Sequence, residues 1–265
     1  MTDELFSVRG QVVMVSGGSR GIGRAIVAAF AERGAHVIAT GRDPEALKET
    51  ERLCENSGNP VQCVVCDVLN RTAIENTVEQ TVAEHGRIDT LVNCAGVNRR
   101  KPALELTEED YDHILGINLK GAFHFSRAAG QIMIGQKSGC QINIVSLNSD
   151  RPLPHVLPYA ASKAALGNMT QALATEWGPH GVRVNALAPG FILTDLTNQL
   201  WADEKMKSWG IQNTPQGRLG TPQDLIGTAL FLAAPASAFM TGQILYVDGG
   251  FTAGFNWPIP GSQPQ

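Results

Sequence analysis

Tyr159 and Lys163 stand four residues apart in the run Tyr159-Ala160-Ala161-Ser162-Lys163, and Ser146 lies thirteen residues before the tyrosine. On a helix, positions four apart share one face, so this spacing sets an ammonium beside a phenol. A phenol alone ionises near pH ~10 and is a poor base at neutral pH, but a fixed cation nearby favours the phenolate. Tyr159 can then shuttle a proton. Hydride addition to a ketone creates an alkoxide, and that chemistry also needs a neutral hydrogen-bond donor on the developing charge, which Ser146 can supply. Taken alone, the pair fits a solvated helix face equally well, because tyrosine and lysine meet at this spacing by chance in many chains. Far upstream, however, runs the glycine-rich turn Ser16-Gly17-Gly18-Ser19-Arg20-Gly21-Ile22-Gly23. Together the three features read as nicotinamide-dependent interconversion of an alcohol and a carbonyl.

Such residues must be positioned by a regular scaffold, and the pattern of the chain supplies one. Apolar runs at 11–16, 36–40, 61–65, 90–93, 141–145, 183–188 and 243–247 read as strands, with helical stretches between them. Several runs are continuously apolar, as expected for strands covered on both faces, and the alternation predicts right-handed crossovers on a parallel sheet. The fold class is therefore α/β, a doubly wound parallel sheet of about seven strands with helices on both faces, in a single domain over 1–265. Thr107-Glu108-Glu109-Asp110 has the form of a capped helix start, and Thr221-Pro222-Gln223-Asp224 puts proline at the first helical position with acid in the first turn. In this topology the glycine turn follows a strand and opens a helix at Gly21. Backbone amides can then approach a pyrophosphate at the positive helix end with no Cβ in the way.

With these motifs in this order, the sequence resembles the short-chain dehydrogenase/reductase family over nearly its full length. The glycine turn is Gly17, Gly21 and Gly23; Asp67 follows the third strand; Asn93-Cys94-Ala95-Gly96 follows the fourth; Asn118 lies on the next long helix. Ser146, Tyr159, Lys163 and Pro189-Gly190 complete the order, and Cys94 is a departure where the family often repeats asparagine. The resemblance implies a Rossmann-type fold with Tyr159 as acid/base and Ser146 orienting the carbonyl. It implies that Lys163 holds the nicotinamide ribose while lowering the Tyr159 pKa, and that Asn118 anchors a proton-relay water. Coenzyme contacts are implied for Gly17, Ser19, Arg20, Gly21, Ile22 and Gly23, for Arg42, Asp67 and Val68, and for Asn93, Ala95 and Gly96. Tyr159, Lys163, Pro189, Gly190, Ile192 and Thr194 complete that set, and no metal is expected.

Coenzyme choice is written at the end of the second strand, in Ile38-Ala39-Thr40-Gly41-Arg42-Asp43. A site preferring NAD usually ends this strand with an acid that takes the ribose 2′-hydroxyl and repels a 2′-phosphate. Gly41 stands there instead. Arg42 follows it and Arg20 sits inside the glycine turn, so two guanidinia can pair with a dianionic phosphate, which favours NADP(H). The other reading extends the strand, makes Asp43 the discriminating acid and leaves both arginines solvated.

For the substrate, the resemblance implies a pocket lined by 98–101 and 148–157, under a covering segment from Gly190 to about Gly217. Substrate contacts are expected from Ser146, Asn148, His155 and Tyr159. Asn98-Arg99-Arg100-Lys101 is either an attractor for a carboxylate or phosphate or a solvated loop. Asn148, Asp150, Arg151 and His155 suit a hydroxyl-rich substrate or cap their own loops. Leu200, Trp201 and Trp209 form an apolar lid or fasten that lid to the core. Gluconate-type and sugar dehydrogenases of the family are similar around 158–163 and 247–251, and so are 3-oxoacyl-carrier-protein reductases. A carrier-protein reductase needs a basic patch for its acidic partner, yet the end of the helix after Asn118 offers only Lys137, leaving Arg99, Arg100 and Lys101 as a different patch. A third class, a dinucleotide sensor without chemistry, typically lacks the tyrosine, lysine or serine that are present here.

Composition bounds the rest. The chain has 265 residues, 43% hydrophobic and 17% charged, enough to bury a sizeable core. A net charge of −4 and no basic stripe argue against nucleic acid. No secretory or membrane-spanning run is visible, so a cytoplasmic location is expected. Five scattered cysteines suit reduced thiols better than disulfides. Cys63 and Cys66 form a CxxC, but residues three apart on a strand point to opposite faces, which disfavours a metal or redox pair. The tail 251–265 reads as irregular, too aromatic around Trp257 to be wholly solvated. The resemblance implies a homo-oligomer, a tetramer in which Trp257 packs on a neighbour or on its own subunit.

Overall fold

The period-two alternation of β1 (Val12–Ser16) already decides the layering. Its residues are all buried, Val13 and Val15 against one core and Val12 and Met14 against another. A strand covered on both faces must lie mid-sheet between two helical layers. That is where it sits in the computed structural model, which describes residues 4–57 and 59–254. β1 is joined by β2 (His36–Gly41), β3 (Gln62–Val65), β4 (Thr90–Asn93), β5 (Gly139–Ile144), β6 (Val182–Pro189) and β7 (Ile244–Val247). All pair in parallel in the order β3-β2-β1-β4-β5-β6-β7. The expected seven strands are thus the observed ones, with ends shifted by a residue or two.

Two helical layers complete the fold. α1 (Gly21–Glu32) and α9 (Gln223–Ala233) cover one face, burying Ile26, Val27 and Phe30 with Leu225 and Leu232. On the other face α3 (Arg71–His85), α5 (Ala122–Gln136) and α6 (Leu157–Trp177) bury Ile74, Phe125, Met133 and Trp177. Cys63 packs toward the first layer and Cys66 toward the second, as the strand geometry requires. Between β2 and β3 runs α2 (Pro44–Leu53), and α4 (Glu108–Leu115) precedes α5. The Thr107/Asp110 capping box forms as the sequence predicts. At α9 the helix begins one residue later than expected. Pro222 is the cap, and Asp224 accepts from the Thr221 backbone while a two-point ion pair with Arg218 holds it.

The strand order reverses between β1 and β4, so their carboxyl ends open a crevice. Register brings Ser16 level with Thr40 on one side and with Asn93 on the other, which sets the glycine turn beside Gly41 and Cys94. The long helix expected around Asn118 is interrupted: residues Gly116–Gly121 form a π-helical turn between α4 and α5. Side chains of Leu69 and Val68 press on Gly116 and Gly121, leaving no room for a Cβ at Gly121. Such turns are rare and commonly mark functional positions. Over the crevice, 190–217 carries α7 (Asn198–Trp201) and α8 (Glu204–Asn213).

Candidate active site

The glycine turn is closed by contacts that only glycine permits. Gly17 has φ +78°, and a Cβ on it would sit 2.6 Å from the Ala95 nitrogen. At Gly23 a Cβ would lie 2.0 Å from the Gly17 carbonyl oxygen. The Gly17 and Gly18 amides donate to Thr40 O, both at 2.9 Å, tying the turn to the end of β2. Arg24 bonds Ser19 O, Ala46 O and Thr50 Oγ1, a brace that the sequence reading did not anticipate.

A cleft of about 410 Å³ runs from this turn to the catalytic residues. Gly17, Ser19, Arg20, Gly21, Ile22, Gly23, Arg42, Asp67, Val68, Ala95 and Gly96 line its first part, and Ser146, Tyr159, Lys163, Pro189, Gly190, Ile192 and Thr194 its second. One expected coenzyme contact differs. Asn93 does not line the cleft: its amide turns beneath the sheet and donates to Ser126 Oγ and Asn143 Oδ1, each at 2.9 Å. A strand residue one step before the crevice points to the other face, which is the reason. Cys94, Val97, Ile117 and 195–197 also line the cleft without having been foreseen, and their only signal was adjacency to predicted positions.

At the adenosine end, β2 stops at Gly41, where a Cβ would meet Ser19 Oγ at 3.0 Å. Arg20 and Arg42 are exposed beside it, and neither has an ion-pair partner among the described residues. Asp43 is occupied elsewhere, accepting from the Glu45 and Ala46 amides as the cap of α2. The cradle of small residues and the two unpaired guanidinia fit a dinucleotide with a 2′-phosphate.

Tyr159 and Lys163 rise from the first turns of α6 on one face. Lys163 is buried, its Nζ donates to Ile144 O at 2.6 Å and stands 5.8 Å from the Tyr159 ring centre. Burial lowers the Lys163 pKa to about 8. Burial pushes the phenol above its ordinary value, and the downward pulls come from the Ser146 hydrogen bond and the Arg100 charge. The Lys163 ammonium is turned to the β5 carbonyl of Ile144 while it stands over the Tyr159 ring.

Asn118 is fully buried behind the pair. Its Oδ1 accepts from Val97 N at 2.8 Å, and its Nδ2 donates to Val97 O and Ser162 Oγ, each at 3.0 Å. Both amide hydrogens are therefore committed to holding the 97 loop and α6.

On the substrate side the structure resolves several alternatives. Arg99 Nη1 and Lys101 Nζ pair with the buried Asp110 at 2.6 and 2.5 Å, and the two cations hold that carboxyl far below the usual carboxylate range. Two of the three basic residues are thus structural. Arg100 is the third; its charge acts on Tyr159. His155, expected to touch substrate, is exposed and does not line the cleft; its carbonyl accepts from Lys101 N while the residue adopts φ +66°. Asn148, likewise expected there, is outside the lining and bonds Ser146 Oγ. Trp201 is buried with Leu147, Phe191 and Leu219, and Phe251 meets Phe191 edge to face with centres 4.7 Å apart. These aromatics fasten the covering segment to the core. The contact proposed for Trp257 lies outside the described residues.

The ordered motifs now have one geometry, and sequence comparison agrees with it. A family profile described as enoyl-(acyl carrier protein) reductase matches residues 7–252. The chain belongs to the short-chain dehydrogenase/reductase family. Among curated relatives, the gluconate 5-dehydrogenase of Gluconobacter oxydans is 39% identical over 94% of this chain and 97% of its own length. The 3-oxoacyl-[acyl-carrier-protein] reductase FabG of Thermotoga maritima is 37% identical over 92% of this chain and 98% of its own. A gluconate 5-dehydrogenase from Burkholderia cenocepacia, solved in complex with NADP and tartrate, superposes with a TM-score of 0.91 at 34% identity, covering 95% of this chain and 98% of that one. As a member of the short-chain dehydrogenase/reductase family, the protein is an oxidoreductase acting on hydroxyl or keto groups. No helix among the described residues is long and apolar enough to cross a membrane.

Proposed function

We propose that the protein interconverts a secondary alcohol and a ketone with NADP(H), on a small polar substrate of the sugar, polyol or aldonate kind. The observation that carries the substrate class is the division of labour in the basic run. Asp110 takes Arg99 and Lys101, which leaves Arg100 without an ion-pair partner among the described residues, a single cation available to one carboxylate. The coenzyme reading rests on Gly41, the unpaired Arg20 and Arg42, and the diversion of Asp43 into a helix cap. When bound, the nicotinamide supplies or accepts hydride. Tyr159 then gives the alkoxide oxygen its proton or takes it from the alcohol, Ser146 donates a hydrogen bond to the same oxygen, and Lys163 holds the ribose.

The relative that reduces 3-oxoacyl carrier-protein thioesters keeps a second reading open, but the patch it requires is weak here. Arg99 and Lys101 are both engaged by Asp110, which offsets one of their two charges, and α5 ends with Lys137 alone. Following nicotinamide absorbance with NADP(H) and NAD(H) across aldonates, sugars, polyols and a β-ketoacyl thioester tests both. Fastest turnover on an aldonate with NADP(H) supports the proposal, and exclusive turnover of the thioester replaces it. Homotetramer assembly and a cytosolic setting, which the five unpaired cysteines suit, belong to the same proposal. Light scattering checks the first.

A further inference from the structure

Ser146 is held from one side by a single residue. Its Oγ accepts from the Asn148 backbone N–H at 3.1 Å and from Asn148 Nδ2 at 3.3 Å. A serine hydroxyl has two lone pairs and one hydrogen. Asn148 occupies both lone pairs, so the only hydrogen bond left to Ser146 is one that it donates. The amide is not free to flip, because Asn148 Oδ1 accepts from the Leu153 N–H at 2.9 Å and must keep its oxygen on that side. The short 3-10 turn Leu147–Ser149 that carries it is anchored in turn, with Leu147 buried among Phe191, Trp201 and Leu219.

We propose that Asn148 is a positioning residue that fixes Ser146 as an obligate hydrogen-bond donor toward the reacting oxygen and does not itself touch substrate. The inference rests on the reading of Ser146 and Tyr159 as the pair that handles the proton. A serine free to rotate spends part of its time accepting, with its hydrogen turned away from the alkoxide. Fixing it in advance removes that reorganisation at the moment of reaction. Asn148 therefore acts through Ser146, and its effect must disappear when the hydroxyl does.

Tyr159 reports this without a substrate. The chain has three tyrosines, so labelling tyrosine Cζ with carbon-13 gives few signals, and Tyr159→Phe assigns the one that matters. The charged and titratable groups around the phenol, Lys163, Arg100 and Cys94, are unchanged in every variant. In the NADP⁺ complex, Ser146→Ala raises the Tyr159 pKa by about one unit, the value of a lost donor to a charged oxygen. Asn148→Ala raises it by at least half as much, and the double variant rises no further than Ser146→Ala alone. Should Asn148→Ala loosen the turn, the same cycle with Asn148→Asp keeps the acceptor for Leu153, and the Ser146→Ala background subtracts the carboxylate's direct effect. Equal shifts from Asn148 substitution in both backgrounds, or no shift in either, overturn the proposal. A Tyr159 titration unmoved by Ser146→Ala overturns the reading beneath it instead.

Discussion

The coenzyme half of the cleft and its substrate half are built by different means. The first is backbone: β1, β2 and β4 end in register, and the turn beside them closes only because Gly17, Gly23 and Gly41 carry no Cβ. The second is side chain on loop: Arg100, Asn148 and the aromatics of 190–217 take their places from an ion triad, a two-point hydrogen bond and ring packing. A framework defined by strand ends tolerates change in surface side chains and fails when volume enters it. A framework of loop contacts fails one interaction at a time, and each failure has its own signature. This division is how a shared coenzyme site serves different substrates.

The largest effect expected is on the backbone half. Gly23→Val places carbon where the Gly17 carbonyl stands, and relief requires moving the turn itself. NADPH affinity should fall at least about 100-fold, with thermal stability lower by about 1–3 kcal/mol. Fluorescence titration and thermal unfolding check the two, and unchanged affinity would break the contrast.

Next comes Arg42→Ala, which removes one guanidinium and no framework. The kcat/KM for NADPH should drop about 10- to 100-fold while that for NADH stays within about twofold, the expected worth of one charge-assisted bond. Equal losses with both coenzymes would return Arg42 to a merely solvated role.

On the substrate half the effects are smaller and selective. Arg100→Gln should raise KM for an aldonate about tenfold and leave KM for an uncharged polyol unchanged. A uniform rise for both substrates would place Arg100 in the loop's structure and take the carboxylate out of the proposal.

A pH effect on folding lies apart from these. Lys163 has a folded pKa near 8, below its unfolded value near 10.5, so the unfolded chain binds more protons between those values. Stability therefore gains from this residue as pH rises from about 8 toward 10.5, and below 8 the buried ammonium is a constant cost. The difference in unfolding free energy between the wild-type protein and Lys163→Met should shift in favour of the wild type across that window. A flat difference would mean that the ammonium is better solvated than its burial implies.

The same division explains what could be read from residues alone. The strands were legible because short apolar runs mark them, 12–15 in β1, 91–92 in β4 and 186–188 in β6, a signal that needs no partner. The groove followed, since strand ends and glycines fix it, and of the residues expected to line it only Asn93 turns its side chain away, by one step of strand alternation. Ser146, Tyr159 and Lys163 were likewise found where spacing put them. What spacing could not give was how Tyr159 is tuned. Sequence separation placed a cation beside the phenol, but the balance between desolvation, Ser146 and Arg100 depends on distances across loops. Nor could the run 98–101 reveal that Asp110, on another element, would claim two of its charges. The π-helical turn at Asn118 was hidden for a similar reason: helix propensity does not register that Val68 and Leu69 lie where Cβ atoms on two of its glycines would go.

The central claim is that Tyr159 moves the proton while other residues hold the coenzyme. Purified wild-type protein and Tyr159→Phe should be compared side by side for NADP-linked turnover and for NADPH affinity. The account predicts a loss of turnover of about 100- to 10,000-fold with coenzyme affinity within about twofold of wild type. Turnover retained within about threefold in the phenylalanine variant would contradict it and leave the cleft as a dinucleotide site whose chemistry runs through another group.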